Sequence, residues 1–124
     1  MKWNIDNNKP IHPQLVEQVK SKIISGEIEI GSKLQPVRIM AQEAEVNPNT
    51  MQKALVELEN QGLVYSKRTT GRFVTEDVKI IKRMRKDVAN QSINELKSTL
   101  KKLGYSNEEI IDLIKQNLRS EINE

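Results

Sequence analysis

One stretch decides the fold, and it reads VNPNTMQKALVEL from Val46 to Leu58. Within it Asn47 is a favourable N-cap, and Pro48 suits the first helical position, where the missing N–H costs nothing. Gly62 is typical of a residue that follows the end of a helix. These signals predict a short helix that begins after Asn47 and ends before Gly62.

The two faces of this predicted helix differ in their chemistry. Four apolar residues share one face, and they are Met51, Ala54, Leu55 and Leu58. The opposite face, with Gln52 beside it, carries Asn49, Lys53, Val56 and Asn60. A helix that reads bases in the major groove has this layout, but so does an ordinary amphipathic surface helix. The flanking segments favour the first interpretation.

Two more helices are predicted on the N-terminal side. Apolar residues recur at helical spacing over residues 11–25, and Pro36 opens a shorter helix that reaches about Ala44. The connector between them contains Gly31 and Leu34 and can hold one bridge of strand. The chain therefore places two helices directly before the Asn47-capped helix.

A β-hairpin is predicted on the C-terminal side. Residues 63–66 and 72–75 are β-prone, and residues 67–71, Lys-Arg-Thr-Thr-Gly, make a basic hairpin tip between them. The order of three helices and a hairpin describes a winged helix-turn-helix. The predicted fold class is mainly α with a small β-hairpin, and the DNA-binding domain covers residues 1–75.

Residues 76–124 have a different character. No Gly or Pro occurs between Phe73 and Leu103, and Thr75 can cap a long helix that reaches Leu103. Ser106 and Glu109 then have the spacing of a capping box for a last helix. We expect a two-helix region that serves dimerisation.

The apolar stripes of these two helices are too large for two helices to bury by themselves. The stripe residues are Val78, Ile81, Val88, Leu96, Leu100, Leu103, Ile110, Ile111, Ile114 and Leu118. A second copy of the chain could complete the core, so we predict a homodimer. The alternative is that the two helices fold back on the winged helix of their own chain.

Composition sets the outer bounds. The chain has 124 residues, which fits one modest domain or a small domain with an appendage, and its net charge of +3 permits a polyanionic partner. It contains no cysteine, which excludes disulfides and thiolate metal sites. No run approaches the roughly 20 apolar residues of a membrane span, and the N-terminus lacks the apolar stretch of a signal peptide. We expect a cytoplasmic protein without a membrane partner.

Enzymatic chemistry finds little support in the sequence. His12 is the only histidine, and the five glycines are scattered singly, so no Gly-rich phosphate loop is present. General acid–base catalysis usually needs a clustered set of titratable groups. We therefore expect a protein that is not an enzyme and that needs neither a cofactor nor a metal.

Several short motifs, taken together and in order, resemble a known family. They are Pro10-Ile11, Ser25-Gly26-Glu27, Val37-Arg38, Val46-Asn47-Pro48-Asn49-Thr50, Ala54-Leu55, Leu58-Glu59, Gly62-Leu63, Gly71 and Phe73-Val74. The chain is similar in these motifs to the GntR family of bacterial transcription regulators. The Asn-Pro-Asn-Thr start and the short C-terminal part look like its YtrA subfamily.

The resemblance implies a DNA-binding surface and a function. The implied DNA-contacting residues are Arg38, Asn47, Asn49, Thr50, Gln52, Lys53, Lys67, Arg68, Thr69, Thr70, Gly71 and Arg72. Asn and Gln can bind adenine edges bidentately, whereas Lys can reach guanine or phosphate. The implied function is a homodimeric repressor of a palindromic operator in double-stranded DNA, and relatives of this subfamily often repress transporter operons. Whether an effector exists is left open.

Some interpretations stay open, and a few positions depart from the family pattern, namely His12-Pro13, Ile30, Gln35-Pro36 and Glu45. Arg38 could instead form a surface salt bridge, Asn47 could serve only as a cap, and the charges of the wing could serve only solubility. The whole winged helix could be a protein-interaction module, while a single-strand or RNA binder is disfavoured by the shortage of aromatic residues. Glu45 stands where the family commonly has Gly in the turn, so a left-handed backbone there would be strained.

Overall fold

The computed structural model describes residues 1–123 and shows the predicted order of elements. Within these residues five helices and one antiparallel hairpin follow one another as α1 (Ile11–Ile24), α2 (Val37–Ala44), α3 (Pro48–Asn60), β1 (Val64–Lys67), β2 (Gly71–Val74), α4 (Val78–Lys102) and α5 (Asn107–Ile122). The predicted fold class, a winged helix-turn-helix followed by two C-terminal helices, is confirmed.

The chain forms two compact units, the first spanning Met1–Arg85 and the second beginning at Lys86. The first unit therefore contains α1 to α3, the hairpin and the start of α4. The assignment of DNA binding to residues 1–75 and of dimerisation to residues 76–124 stays a prediction. Among the described residues, no helix is long and apolar enough to cross a membrane.

The core of the first unit is built around the rear face of α3. All four predicted inward residues of α3 are buried, and they pack in a core with Leu15, Val19, Ile23, Met40, Leu63, Val64, Val74 and Ile81. Burying one Leu or Met side chain stabilises the fold by roughly 1.5–3 kcal/mol. Because α3 packs against both α1 and α2, its opposite face is directed to solvent.

Residues 1–9 are attached to α1 through two glutamine side chains. Gln18 accepts a hydrogen bond from the N–H of Asn4 (3.0 Å) and donates one to its carbonyl oxygen (2.6 Å). Gln14 does the same with Asp6, at 2.8 and 2.9 Å. The two amides, one helical turn apart, thus bond to alternate residues of the extended segment as a neighbouring strand would.

The turn between α2 and α3 has the strained backbone that the sequence indicated. Glu45 lies in the left-handed region, with φ 56° and ψ 46°. The N–H of Val46 donates to the carbonyl oxygen of Ala41 (3.0 Å), which closes the end of α2. The tight turn fixes the start of α3 relative to α2.

The hairpin is extended by the predicted bridge from the α1–α2 connector. Lys33 pairs with Phe73, and the N–H of Leu34 donates to the carbonyl oxygen of Arg72 (2.9 Å). Gly71 has φ 114°, and a Cβ atom there would lie only 3.1 Å from Cε of Lys33. The end of the Lys33 side chain is flexible and could move aside, so it is the positive φ that favours glycine at residue 71.

The predicted cap of α4 is wrong by two residues. The helix begins at Val78, and Oδ1 of Asp77 accepts from the N–H of Lys79 (3.0 Å). Thr75 is buried, and its N–H donates to the carbonyl oxygen of Leu63 (2.9 Å), so its backbone is still bound to the hairpin. Oγ1 of Thr75 accepts from the N–H of Asp77 (3.1 Å), but residues 75–77 are not helical, so Asp77 takes the capping role.

The first turns of α4 belong to the core of the first unit. Ile81 is buried there, and Nε of Arg85 donates to the carbonyl oxygen of Ile24 (2.9 Å). Ile81 was expected in a dimer interface, but its side chain is already covered within one chain. The prediction that Ile81 lies at the dimer interface is therefore wrong, because its side chain is not available to a partner.

The second unit contains the predicted capping box at the start of α5. The N–H of Glu109 donates to Oγ of Ser106 (3.2 Å), and the N–H of Ser106 donates to Oε1 of Glu109 (2.9 Å). Hydrogen bonds from the backbone and side chain of Ser106 lower the pKa of Glu109.

Ile110 was also expected at a dimer interface, but it is buried within the single chain and is therefore not available to a partner.

Relief of the strain at Glu45 should stabilise the protein. The left-handed conformation costs a residue with a Cβ roughly 1–2 kcal/mol, and the larger unfolded-state entropy of glycine offsets about 0.5–1 kcal/mol of the relief. We therefore expect Glu45→Gly to raise the free energy of unfolding in urea by about 0.5–1 kcal/mol. The matched control Gln42→Gly, inside α2, should lower it by about 1 kcal/mol. A loss of stability in Glu45→Gly would contradict this account of the turn.

Candidate nucleic-acid interface

The N-terminal turn of α3 presents uncharged polar groups and positive potential. Oδ1 of Asn47 accepts from the N–H of Asn49 (2.8 Å), which confirms the predicted cap, and Pro48 occupies the first turn. No carboxylate lies in that turn, so the positive end of the helix dipole is not compensated there. Asn49, Gln52 and Lys53 are exposed and Thr50 is half-buried. This surface suits an anionic backbone and the polar edges of bases.

Arg38 lies exposed in the first turn of α2, and it forms no salt bridge with any of residues 1–123. The surface salt bridge considered for this side chain is therefore not present. Its guanidinium remains available to a phosphate or a guanine edge.

The wing carries its charges on a hairpin stiffened by aromatic rings. The rings of Tyr65 and Phe73 stack with centroids 5.9 Å apart, and Nζ of Lys67 lies 4.7 Å from the centroid of Phe73. Such an ammonium-over-ring contact is worth about 0.5–1 kcal/mol at an exposed site and holds the lysine along the strand. Arg68 is exposed at the tip.

The tip itself has a conformation that sequence reasoning missed. Thr69 has φ 68°, which is uncommon for a β-branched residue, and its Oγ1 donates to the carbonyl oxygen of Arg68 (2.6 Å). The N–H of Thr70 donates to the carbonyl oxygen of Lys67 (3.2 Å), which closes the loop before Gly71. A three-residue loop followed by Gly was the only signal of a left-handed residue at this position.

A cleft lies between the wing tip and the start of α2. It measures about 300 Å³ and is lined by residues 33–37 on one side and residues 69–72 on the other. Lys33, which sequence reasoning did not select, contributes an exposed cation to its wall. The signal that could have selected it is the bridge predicted for this connector, because a bridge to the hairpin brings residue 33 next to the wing.

Arg72 lies differently from the other basic residues of the wing. Its side chain is 16% exposed, and its Nε donates to Oε1 of Glu59 on α3. Its Nη1 donates to Oε1 of Gln52, also on α3, at 3.1 Å. Arg72 thus connects the wing to α3. A direct contact of Arg72 with DNA stays a prediction.

Glu59 is the anchor of this connection. Its Oε1 also accepts from Oγ of Ser66 on β1 (2.7 Å). Burial raises the pKa of Glu59, but the hydrogen bonds from Arg72 and Ser66 and the charge of Arg72 outweigh burial, so the pKa lies below its ordinary value. Glu59 is therefore ionised at neutral pH and holds two residues of the hairpin against α3.

Most of the remaining apolar residues expected at a dimer interface are exposed, and all of these except Val78 lie in the second unit. Among the predicted interface residues, six are exposed, and they are Val78, Leu96, Leu103, Ile111, Ile114 and Leu118. Val88 and Leu100 are half-buried. A groove of about 310 Å³ is lined by Leu96, Leu100, Leu113, Ile114, Asn117 and Leu118. Large exposed apolar surface of this kind marks interaction sites.

Comparison with known proteins places this geometry in a family context. Residues 12–74 match the bacterial regulatory proteins of the gntR family. The chain is 32% identical over 109 residues to YhcF of Bacillus subtilis (strain 168), an uncharacterized HTH-type transcriptional regulator, and the match covers 88% of this chain and 90% of YhcF. It is 36% identical over 73 residues to the HTH-type transcriptional repressor YtrA of the same organism, covering 59% of this chain and 56% of YtrA.

Solved structures give the same result. A GntR family transcriptional regulator from Listeria monocytogenes superposes with a TM-score of 0.85 at 39% identity, covering 90% of this chain and 98% of that one. The DNA-binding domain of AraR, in complex with operator ORX1, superposes with a TM-score of 0.52 at 29% identity, covering 60% of this chain and 92% of that one.

The Glu59 ion pair should make stability depend on acid pH. A carboxyl group whose pKa is lowered by folding stabilises the protein above its unfolded-state pKa, and this contribution is lost as pH falls through the folded-state pKa. We expect Glu59→Gln to lower the free energy of unfolding by about 1 kcal/mol at pH 7. The difference should vanish once the pH lies below the lowered pKa of Glu59.

Urea denaturation of both proteins at a series of pH values measures this difference. Glu17→Gln, at an exposed position of α1, is the matched control and should differ little from the parent at any pH. A deficit of Glu59→Gln that stays constant down to acid pH would show that the ion pair is not its cause.

Proposed function

The chain belongs to the gntR family of bacterial regulatory proteins and is a YtrA-like transcriptional regulator, and we propose that it is a homodimeric repressor of a palindromic DNA operator. The observation that carries the proposal is the exposed front of α3. Polar side chains and Lys53 stand there at an uncompensated helix N-terminus, while the rear face is locked into the core.

Duplex DNA is the partner that fits this surface. The N-terminus of α3 offers free N–H groups to phosphates, and Asn49, Gln52 and Lys53 can reach base edges in the major groove. Arg38 and the wing cations lie on the flanking elements, where backbone contacts position a recognition helix. AraR, whose DNA-binding domain shares this fold, has been solved with an operator, which supports the same mode for this chain.

The exposed apolar surface of the second unit supports a dimer. The side chains of Leu118 and Ile111 are 55% and 51% exposed to water. Covering this apolar surface with a partner would be favourable. One recognition helix touches few bases, so two copies related by a two-fold axis supply affinity and specificity together. Such a pair reads half-sites whose centres lie about 10 base pairs, or a multiple of that, apart.

The repressor role rests on the relatives. YtrA of Bacillus subtilis, which is 36% identical over 73 residues, is an HTH-type transcriptional repressor. We propose that the chain acts in this way in the cytoplasm, and that its own operon is among its targets. A transporter operon is the target class that the subfamily resemblance favours.

DNA binding is tested with the duplex that lies upstream of the protein's own gene. Fluorescence anisotropy should show specific binding whose association constant falls by about three orders of magnitude between 50 and 200 mM salt, because phosphate contacts release counterions. Lys67→Ala should weaken binding to all sequences alike, whereas Gln52→Ala should change base preference. Lys101→Ala, in the second unit, is the charge-matched control and should bind like the parent.

Two outcomes would contradict these assignments in different ways. Absence of any specific duplex, from this promoter or from a random library, would overturn the DNA-binding function and favour a protein-interaction module. Equal losses for Lys67→Ala and Gln52→Ala on cognate and random DNA would leave the function standing but overturn the roles of the two residues.

The dimer is tested by sedimentation velocity of the full chain. We expect the parent protein to sediment as a dimer at micromolar concentration and Leu118→Glu to sediment as a monomer, because a carboxylate cannot be buried without a partner. Ser120→Glu adds the same charge at an exposed position of α5 outside the apolar stripe and should stay dimeric. A monomeric parent protein would rule out the proposed dimer.

A further inference from the structure

The contact between Arg72 and Gln52 determines which part of the Gln52 amide is free. Nη1 of Arg72 donates to Oε1 of Gln52 at 3.1 Å. A guanidinium carries only donors, so any hydrogen bond between these side chains must use the oxygen of the amide. The amino group of Gln52 then points away from Arg72, and no described residue accepts a hydrogen bond from it.

The contact is held in place by groups that an ordinary surface pair lacks. The side chains of Arg72 and Glu59 are only 16% and 27% exposed, and Glu59 also accepts from Ser66. A surface salt bridge between two flexible side chains contributes little, but a partly buried and hydrogen-bonded pair restricts both rotamers. Arg72 is therefore held in place before any DNA arrives, and its bond to Gln52 orients that exposed amide.

We propose, on the basis of the DNA binding proposed above, that Arg72 is a positioning residue that sets base specificity through Gln52. By engaging Oε1, it presents Gln52 as a hydrogen-bond donor, so that the base opposite Gln52 is guanine in preference to adenine. Arg72 itself need not contact the base.

The preference follows from the pattern of groups in the major groove. A free glutamine binds adenine bidentately, since its oxygen accepts from the N6 amino group while its own amino group donates to N7. The amide oxygen has two lone pairs, and Arg72 occupies one of them. The adenine amino group would therefore have to bind the same oxygen beside a cationic donor, which disfavours adenine at this position. Guanine presents N7 and O6, both acceptors, to the outward amino group of Gln52, and the charge of Arg72 favours them further.

Selection of binding sites from a random duplex library by the full-length chain tests the proposal. The base position that loses its preference in Gln52→Ala is the one that faces residue 52. At that position the parent protein should select guanine. Competition between duplexes that differ only there should show that Arg72→Met shifts the adenine-to-guanine ratio about fivefold or more toward adenine.

Control variants separate this effect from a general loss of charge or of fold. Lys67→Met removes one cation from the same hairpin and should lower affinity for every duplex without changing the base preference. Glu59→Gln keeps an acceptor but loosens Arg72, and it should shift the preference in the same direction as Arg72→Met. Thermal unfolding identifies variants that fail to fold, and if Arg72→Met is one of them, the result for Glu59→Gln decides.

The outcomes distinguish this inference from the function on which it rests. If the parent protein selects no sequence, the proposed DNA-binding function fails. If the parent selects a sequence but the preference at the Gln52 position is unchanged in the Arg72 and Glu59 variants, or moves away from adenine, the function stands and the role of Arg72 is overturned.

Discussion

The burial of the rear face of α3 is the constraint on which the rest of the structure depends. Met51, Ala54, Leu55 and Leu58 are all buried, so the helix can neither rotate about its axis nor slide without exposing apolar surface. This fixed orientation of α3 directs Gln52 and Lys53 to solvent and gives the hairpin a rigid surface to pack against. A recognition surface built on a core of this kind is formed before any ligand binds.

Local chemistry in the sequence predicted most of this architecture. The Asn47 cap, the period of the apolar residues in α3 and the capping box at Ser106 are each determined by residues close together in the chain, and all three are present. The strained backbone at Glu45 was likewise visible as a residue that replaces a common glycine. Such features can be read from one sequence because their partners lie within one helical turn.

Features that depend on distant residues could not be predicted in the same way. Arg72 meets residues of α3 that lie far from it in the chain, and no periodicity marks that meeting, so it was classed with the other cations of the wing. Thr75 was misjudged as a cap because its hydrogen bond to Leu63 is made across the hairpin. Ile81 was assigned to a dimer interface for a similar reason. An apolar stripe in the sequence does not distinguish burial within the same chain from burial against a second copy.

The attachment of the N-terminal segment has a chemical consequence of its own. Gln14 and Gln18 each use both ends of the amide, one to accept from an N–H and one to donate to a carbonyl oxygen. Deamidation to glutamate would turn each donor into a second oxygen facing that carbonyl, and the attraction would become repulsion. Deamidation at these two positions would therefore weaken the attachment of residues 1–9 to α1, although the half-buried side chains of Trp3 and Ile5 would still hold part of the segment.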